Sequence, residues 1–271
     1  MRTIFYILLS LFVFPIVSAN TIYVGVGHPI KKIKQAIALA KDGDTIIVNS
    51  GIYKEGNIVI DKKIVFLGKN FPILDGQKKY EVLSIKADSV LVQGIKIIRS
   101  GFAALEDPCG IKVYNKQYVR IFDNYLQDNF FGIYLQNSTN CIIKGNTIIA
   151  FGKEEQLIGN GIHCWKSDNL QIVANNVRGH RDGIYFEFVT NSVIWRNISE
   201  KNIRYGLHFM FSNDDSYISN LFKNNGAGVA VMFSKSLKMF NNTFEENWGD
   251  SAYGLLLKEI SDGYIFNNHF I

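Results

Sequence analysis

Three side chains in this sequence have the types and spacing to hold a soft metal ion. His208 and Met210 stand two residues apart in "GLHFM", and Met232 closes a matching segment, "GVAVM". Imidazole and thioether donors suit a soft cation such as Cu(I) and suit magnesium or calcium poorly. His163 occupies the equivalent of His208 in a third segment, "GIHCW". Acid–base chemistry is the other possibility. Asp182, Glu187, Asp214 and Asp215 fall in the same part of the chain, with Arg181 beside them. Two carboxylates across a groove could hydrolyse a glycoside, and an arginine beside acids could serve a lyase. "SNDD" (Ser212–Asp215) also reads as turn chemistry, so no pair is fixed as acid and base.

These residues can cooperate only if the fold brings distant segments together, and the sequence contains a repeat that does so. Glycines recur at 110, 132, 161, 183, 206, 228 and 254, and asparagines at 124, 146, 175, 197, 220, 242 and 268. Both series have intervals of 22, 29, 22, 23, 22 and 26 residues. Two markers sharing one irregular rhythm establish a repeat. After each glycine, positions one and three are apolar, from Ile111/Val113 through Leu207/Phe209 to Leu255/Leu257. Period-two alternation marks a strand with one buried face. A second strand precedes each asparagine and a third follows it. Three short strands per coil predict an all-β fold, a right-handed parallel β-helix, with like residues stacked about 4.8 Å apart. The asparagines then form an amide ladder at a tight corner, placed there because Asn tolerates the left-handed conformation. The glycines mark another corner or a close approach.

The flanking segments read differently. Arg2 precedes an apolar run ending in "VSA", which predicts a signal peptide over residues 1–19 and export to the periplasm. Residues 20–70 supply a cap and the first strands. Pro29 is placed at the start of a short helix whose stripe is Ile30, Ile33, Ile37 and Ala40, with Gly43 as its stop. The repeats fill residues 71–271 and stop just past an asparagine corner, so the chain is expected to be shortened at that end. The composition is 47% hydrophobic with a formal charge of +5 and no Lys/Arg run, which excludes nucleic acid as the expected partner. Cys109, Cys141 and Cys164 have no zinc or disulfide-framework spacing and read as small buried hydrophobes.

The outward positions of the glycine strands form two columns. One reads Lys112, Tyr134, His163, Tyr185, His208, Ala230, Leu256; the other reads Tyr114, Gln136, Trp165, Glu187, Met210, Met232, Lys258. Histidine, tyrosine, tryptophan and methionine on a face expected to be solvated point to a binding surface. The extra residues of the long intervals fall at one corner, in 147–160 and 243–253, and would wall a groove about 15 Å long from the coil of His163 to that of Met232. His163 lies two coils from His208, near 10 Å, too far to share one ion. The residues alone leave three readings open: soft-metal handling, carbohydrate binding or cleavage on Tyr134, Trp165 and Tyr185, and a scaffold that docks proteins through the two loops.

"GNGIHCWKS" (Gly159–Ser167), "GHRDGIYFEFVTNS" (Gly179–Ser192) and "RYGLHFMFSNDD" (Arg204–Asp215) resemble the NosD family, exported β-helix proteins needed to mature nitrous oxide reductase. The opening "IKQAIALAKDGDTIIVNSGIYKE" is similar as well, though less specifically. The resemblance implies a non-enzymatic periplasmic accessory protein that handles copper transiently. The partners it implies are an ABC transporter ATPase and permease, a copper chaperone and the reductase. By position, His163, Trp165, Arg181, Asp182, Glu187, His208 and Met210 occupy the family's motif. The family also implies a longer chain, with the elements that dock on the transporter lying beyond this one.

Overall fold

The computed structural model describes residues 19–102, 107–249 and 253–271. The predicted leader therefore lies, but for Ala19, outside the described residues. The chain winds into a right-handed parallel β-helix of three sheets, with eleven, nine and ten strands among the described residues. Every strand pair joins one coil to the next in parallel, as the repeat predicted. Valine, isoleucine and phenylalanine at alternate positions form these strands because branched and aromatic side chains pack well on a pleated, half-buried surface. Ile111, Val113, Ile133, Leu135, Ile162, Cys164, Ile184, Phe186, Leu207 and Phe209 are completely buried along the core.

The asparagine column is a hydrogen-bonded ladder. The Asn197 amide nitrogen donates to Asn220 Oδ1 at 3.0 Å, and that of Asn220 donates to Asn242 Oδ1 at 3.0 Å. The reason given for the column needs correcting, because the ladder residues are not the left-handed ones. The turn is made one residue earlier, by Asp123, Ala174, Arg196, Ser219, Asn241 and Asn267, with φ of 52° to 59°. Asparagine is used for its amide, which caps the buried backbone of the adjacent coils. A second ladder, missed in the sequence, runs through Asn202, Asn225 and Asn247. It stands five residues after the first, and His180 takes the same place in an earlier coil, where its backbone nitrogen donates to Asn202 Oδ1. The glycine column is a close approach and not a corner. A Cβ on Gly183 would lie 1.9 Å from Ser199 Oγ and 2.7 Å from the Gly206 carbonyl oxygen.

The N-terminal helix spans Ile33–Leu39 and buries Ile33, Ala36 and Ile37 against the first strands. It starts later than expected. Pro29 lies outside it because Ile30 pairs with Val24 as a β-bridge, and the helix is begun instead by Glu55, which accepts from the Ile33 and Lys34 amides at 2.8 and 3.0 Å. The three cysteines are buried free thiols, as expected, with no Cys109–Cys141 bridge.

One core position is unusual. Asp215 points into the solenoid interior, where Oδ1 accepts from the Ser192 amide at 2.8 Å while Oδ2 has no partner; the hydroxyl of fully buried Tyr217 has none either. Burial pushes the Asp215 carboxyl well above its ordinary range. The folded state therefore binds this proton more tightly than the unfolded one. The stability it lends is complete below the unfolded value and is lost as pH rises. Asp215→Asn keeps the acceptor and removes the titration, so its thermal midpoint should gain on that of the wild type between pH 4.5 and pH 8 by at least ~2 °C. Parallel melting curves for the two proteins would refute this.

Candidate functional site

Strand register gathers the two outward columns as the sequence requires. Lys112, Tyr134, His163, Tyr185, His208 and Ala230 are successive partners, and so are Tyr114, Gln136, Trp165, Glu187, Met210 and Met232. His208, Met210 and Met232 all face away from the core. The first column is not an open surface, however. Tyr134, His163, Tyr185 and His208 are each 6–9% exposed. The loop that follows Ile149 lines the cleft at His163 and Tyr185, with Gly159 against the Phe131 ring and Glu155 approaching Arg204 at 3.9 Å. The rings form a file, Tyr134–His163–Tyr185–His208, with centroid separations of 4.3, 4.8 and 4.9 Å. The second column is half-buried and forms the rim.

His208 is held by two residues of different standing in the sequence reading. Asp182 occupies the resembled motif; Arg204 was not singled out. Arg204 grips the fully buried Asp182 carboxylate with two hydrogen bonds, Nε to Oδ1 at 3.0 Å and an amino nitrogen to Oδ2 at 2.7 Å. Burial alone would raise the Asp182 carboxyl, but hydrogen bonds from His208 and Arg204 outweigh it and hold the group below the usual carboxylate range. His208 Nδ1 lies 3.5 Å from the same Oδ2. Nδ1 also lies 3.3 Å from an Arg204 amino nitrogen: where Nδ1 donates to the carboxylate Nε2 carries the lone pair, and where it accepts from Arg204 Nε2 carries the proton. Among the described residues Nε2 is buried without a hydrogen-bond partner. Met210, two residues on along the same strand, lies on the rim, its sulfur accepting from the Tyr185 hydroxyl at 3.6 Å. The repeated Arg-x-Gly of Arg181 and Arg204 was the signal for the clasp, but only the fold shows which acid it meets.

The remaining candidates divide. His163 lies two coils from His208, with the Tyr185 ring between them, and its Nδ1 meets the Asn160 amide at 3.1 Å. Burial holds it neutral, with its pKa pushed down to about 3. Arg181, Tyr185 and Glu187 line a cleft of about 450 Å³ together with His163, Glu155 and Phe102. Trp165 lies on the rim beneath the Lys166 ammonium, at 4.5 Å. Asp214 is an exposed turn residue with φ 58°, and Asp215 is in the core, so neither stands on this face. Of the two expected walls, the first supplies Glu155 to a recess beside the His208 coil and the second supplies Gly249. Among the described residues no three His, Cys, Asp or Glu side chains converge as a metal site. Burial also raises all three thiols, Cys141 to about 11, which leaves methionine as the soft donor.

The fold is that of the parallel β-helix proteins. The alginate lyase from Paenibacillus sp. str. FPU-7 superimposes with a TM-score of 0.60 at 14% identity, covering 92% of this chain and 99% of that one. The polygalacturonase from Erwinia carotovora ssp. carotovora gives 0.61 at 11% identity, covering 94% and 96%. A point mutant of the periplasmic alginate epimerase AlgG gives 0.51 at 16%, covering 84% and 77%. Such identities speak for the fold alone. A comparison with curated proteins found no match. Residues 141–271, a little under half of the chain, match the family model described as periplasmic copper-binding protein (NosD). The matched region contains His163, Asp182, His208, Met210 and Met232. The N-terminal coils, whose opening resembled the family only weakly, lie outside it.

Proposed function

We propose that the protein is an exported, periplasmic accessory factor in the maturation of nitrous oxide reductase. In this reading it carries Cu(I) as cargo between a copper chaperone and an ABC transporter of the same pathway. The observation that carries the proposal is the buried, unpartnered Nε2 of His208 on a strand that presents the thioether of Met210 on the same outward side. A carboxylate that fixes one ring nitrogen and leaves the other as a lone pair is the usual support of a metal-binding histidine. In this reading Asp182 does so for the His208 tautomer whose Nδ1 donates to it. Met210 and Met232 are register partners on the rim and offer soft donors between the buried imidazole and solvent. So few donors fit a transient, low-coordinate soft ion and fall short of a closed tetrahedral zinc site. The family description supports copper, and His163 takes no part in the same ion.

Cu(I) titration against a competing chelator tests this. The double variant His208→Ala/Met210→Ala should bind at least ~100-fold more weakly than wild type, about 2.7 kcal/mol. Equal affinity would remove these ligands. A second reading is polysaccharide cleavage, supported by Glu155, Arg181 and Glu187 lining one cleft. It requires release of a reducing or unsaturated sugar that Glu187→Gln abolishes.

A further inference from the structure

A second cleft lies on the same face, toward the N-terminal coils and outside the matched region. It encloses about 520 Å³ and is lined by Asn57, Lys79, Glu81, Ser84, Lys86 and Lys112, with Tyr114 at its floor. Phe102 and Asp107 line both this cleft and the cleft of His163, so the two adjoin. The strands Ile58–Ile60, Leu83–Ile85 and Cys109–Tyr114 set its floor in register, with Ser84 opposite Lys112.

The charges in this cleft are not paired with one another. Glu81 would be the natural counter-ion for the lysines, but hydroxyl groups occupy both its oxygens. Ser84 donates to Oε1 in a short hydrogen bond, and Tyr114 donates to Oε2 at 2.8 Å. Asn57 in turn donates to Ser84 Oγ at 2.8 Å, which locks the arrangement. The lysines meet aromatic faces instead. Lys112 Nζ lies 4.6 Å from the Tyr134 ring and 5.1 Å from the Tyr114 ring, and Lys86 Nζ lies 5.2 Å from the same Tyr114 ring. Lys112 is only 9% exposed, yet among the described residues neither it, Lys86 nor Lys79 forms an ion pair with a carboxylate. Two ammonium groups converging on one ring repel each other, and burial strengthens that repulsion. An anion entering the cleft relieves it and gives the Lys112 ammonium, carried on a largely buried side chain, a charge-assisted hydrogen-bond partner.

We propose that this cleft is a binding site for a carboxylate-bearing polar ligand, whose carboxylate sits between Lys86 and Lys112 with Lys79 at the mouth. The polar lining excludes an apolar ligand, and the volume suits a small molecule or one end of a chain. The site is independent of the copper ligands, because the register from Lys112 through Tyr134, His163 and Tyr185 places His208 several coils further along the face.

Calorimetric titration of the full chain with D-galacturonate, inorganic phosphate and neutral D-galactose tests the proposal. Galacturonate should bind. Its affinity should fall at least tenfold in Lys112→Met, which keeps the apolar stem, and in Lys86→Gln, whose exposed side chain can change without disturbing the fold. It should also weaken between 20 and 200 mM salt. Cu(I) affinity should be unchanged in both variants. Equal binding of galactose, loss of no affinity in Lys86→Gln, binding of phosphate but not of galacturonate, or no heat from any of the three would each overturn the assignment.

Discussion

Replacing Asp182 by asparagine should lower the thermal midpoint by roughly 6–12 °C and weaken Cu(I) binding roughly 10–100-fold. The two effects share one cause. Asp182 is fully buried, and both its oxygens serve Arg204, whose side chain is one-third exposed. Removing one partner of a buried pair leaves the other charge uncompensated, at a cost of about 3–5 kcal/mol. Partial hydration of Arg204 argues for the lower end, about 3 kcal/mol, which gives the shift in midpoint. The copper effect follows from His208, because asparagine can offer its NH2 to Nδ1 and stabilise the tautomer whose Nε2 carries a proton in place of the lone pair. The pH dependence has a definite sign. The Asp182 carboxyl is depressed in the folded state, so its contribution is complete above the unfolded value, near 4, and is lost as pH falls through the folded one. The wild type should lose this contribution on acidification and Asp182→Asn should not. Melting curves at pH 7 and pH 3, with copper competition at pH 7, check both parts. A variant that melts like wild type but binds copper poorly would leave Asp182 with a role in the site alone. One that melts and binds like wild type would refute both.

Asn220→Ala should be the most damaging single change away from the site, lowering stability by about 3–4 kcal/mol. Asn220 Oδ1 accepts from the Asn197 backbone and side-chain nitrogens at 2.9 and 3.0 Å, while its own amide donates to the Ile194 carbonyl at 2.9 Å and to Asn242 Oδ1 at 3.0 Å. Alanine strands an amide and a carbonyl in the core, far from water, and each unsatisfied buried group costs about 1–3 kcal/mol. The midpoint should fall by roughly 10 °C. Asn176→Ala is the control, since Asn176 is exposed on the strand Asn176–Arg178, and a change of under about 1 kcal/mol is expected. Equal losses at the two positions would mean that the buried ladder carries no special weight.

The rhythm of glycine and asparagine determined most of this protein by itself. A solenoid coil contacts only its neighbours, so spacing along the chain converts directly into register, and His208, Tyr185 and His163 fall into one column whatever their surroundings. The pattern also fixed which side chains leave the core, because alternation along a strand has only two outcomes. Asp215 shows where that inference stopped. It lies beyond the strand Tyr205–Met210, in a turn whose sense no periodicity encodes, and it enters the interior. Ladder and turn were confused for a related reason: asparagine is suited both to the left-handed conformation and to amide stacking, and composition cannot tell which property is used. Tertiary structure alone decided that the His/Tyr column is covered, that Arg204 is the cation holding Asp182, and that Glu81 is occupied by hydroxyls while Lys112, which pairs with no carboxylate among the described residues, meets aromatic faces. The first depends on where an irregular loop folds back over the coils, and the others on which side chains of neighbouring coils meet; both are set by packing between residues distant in sequence, which no local pattern records.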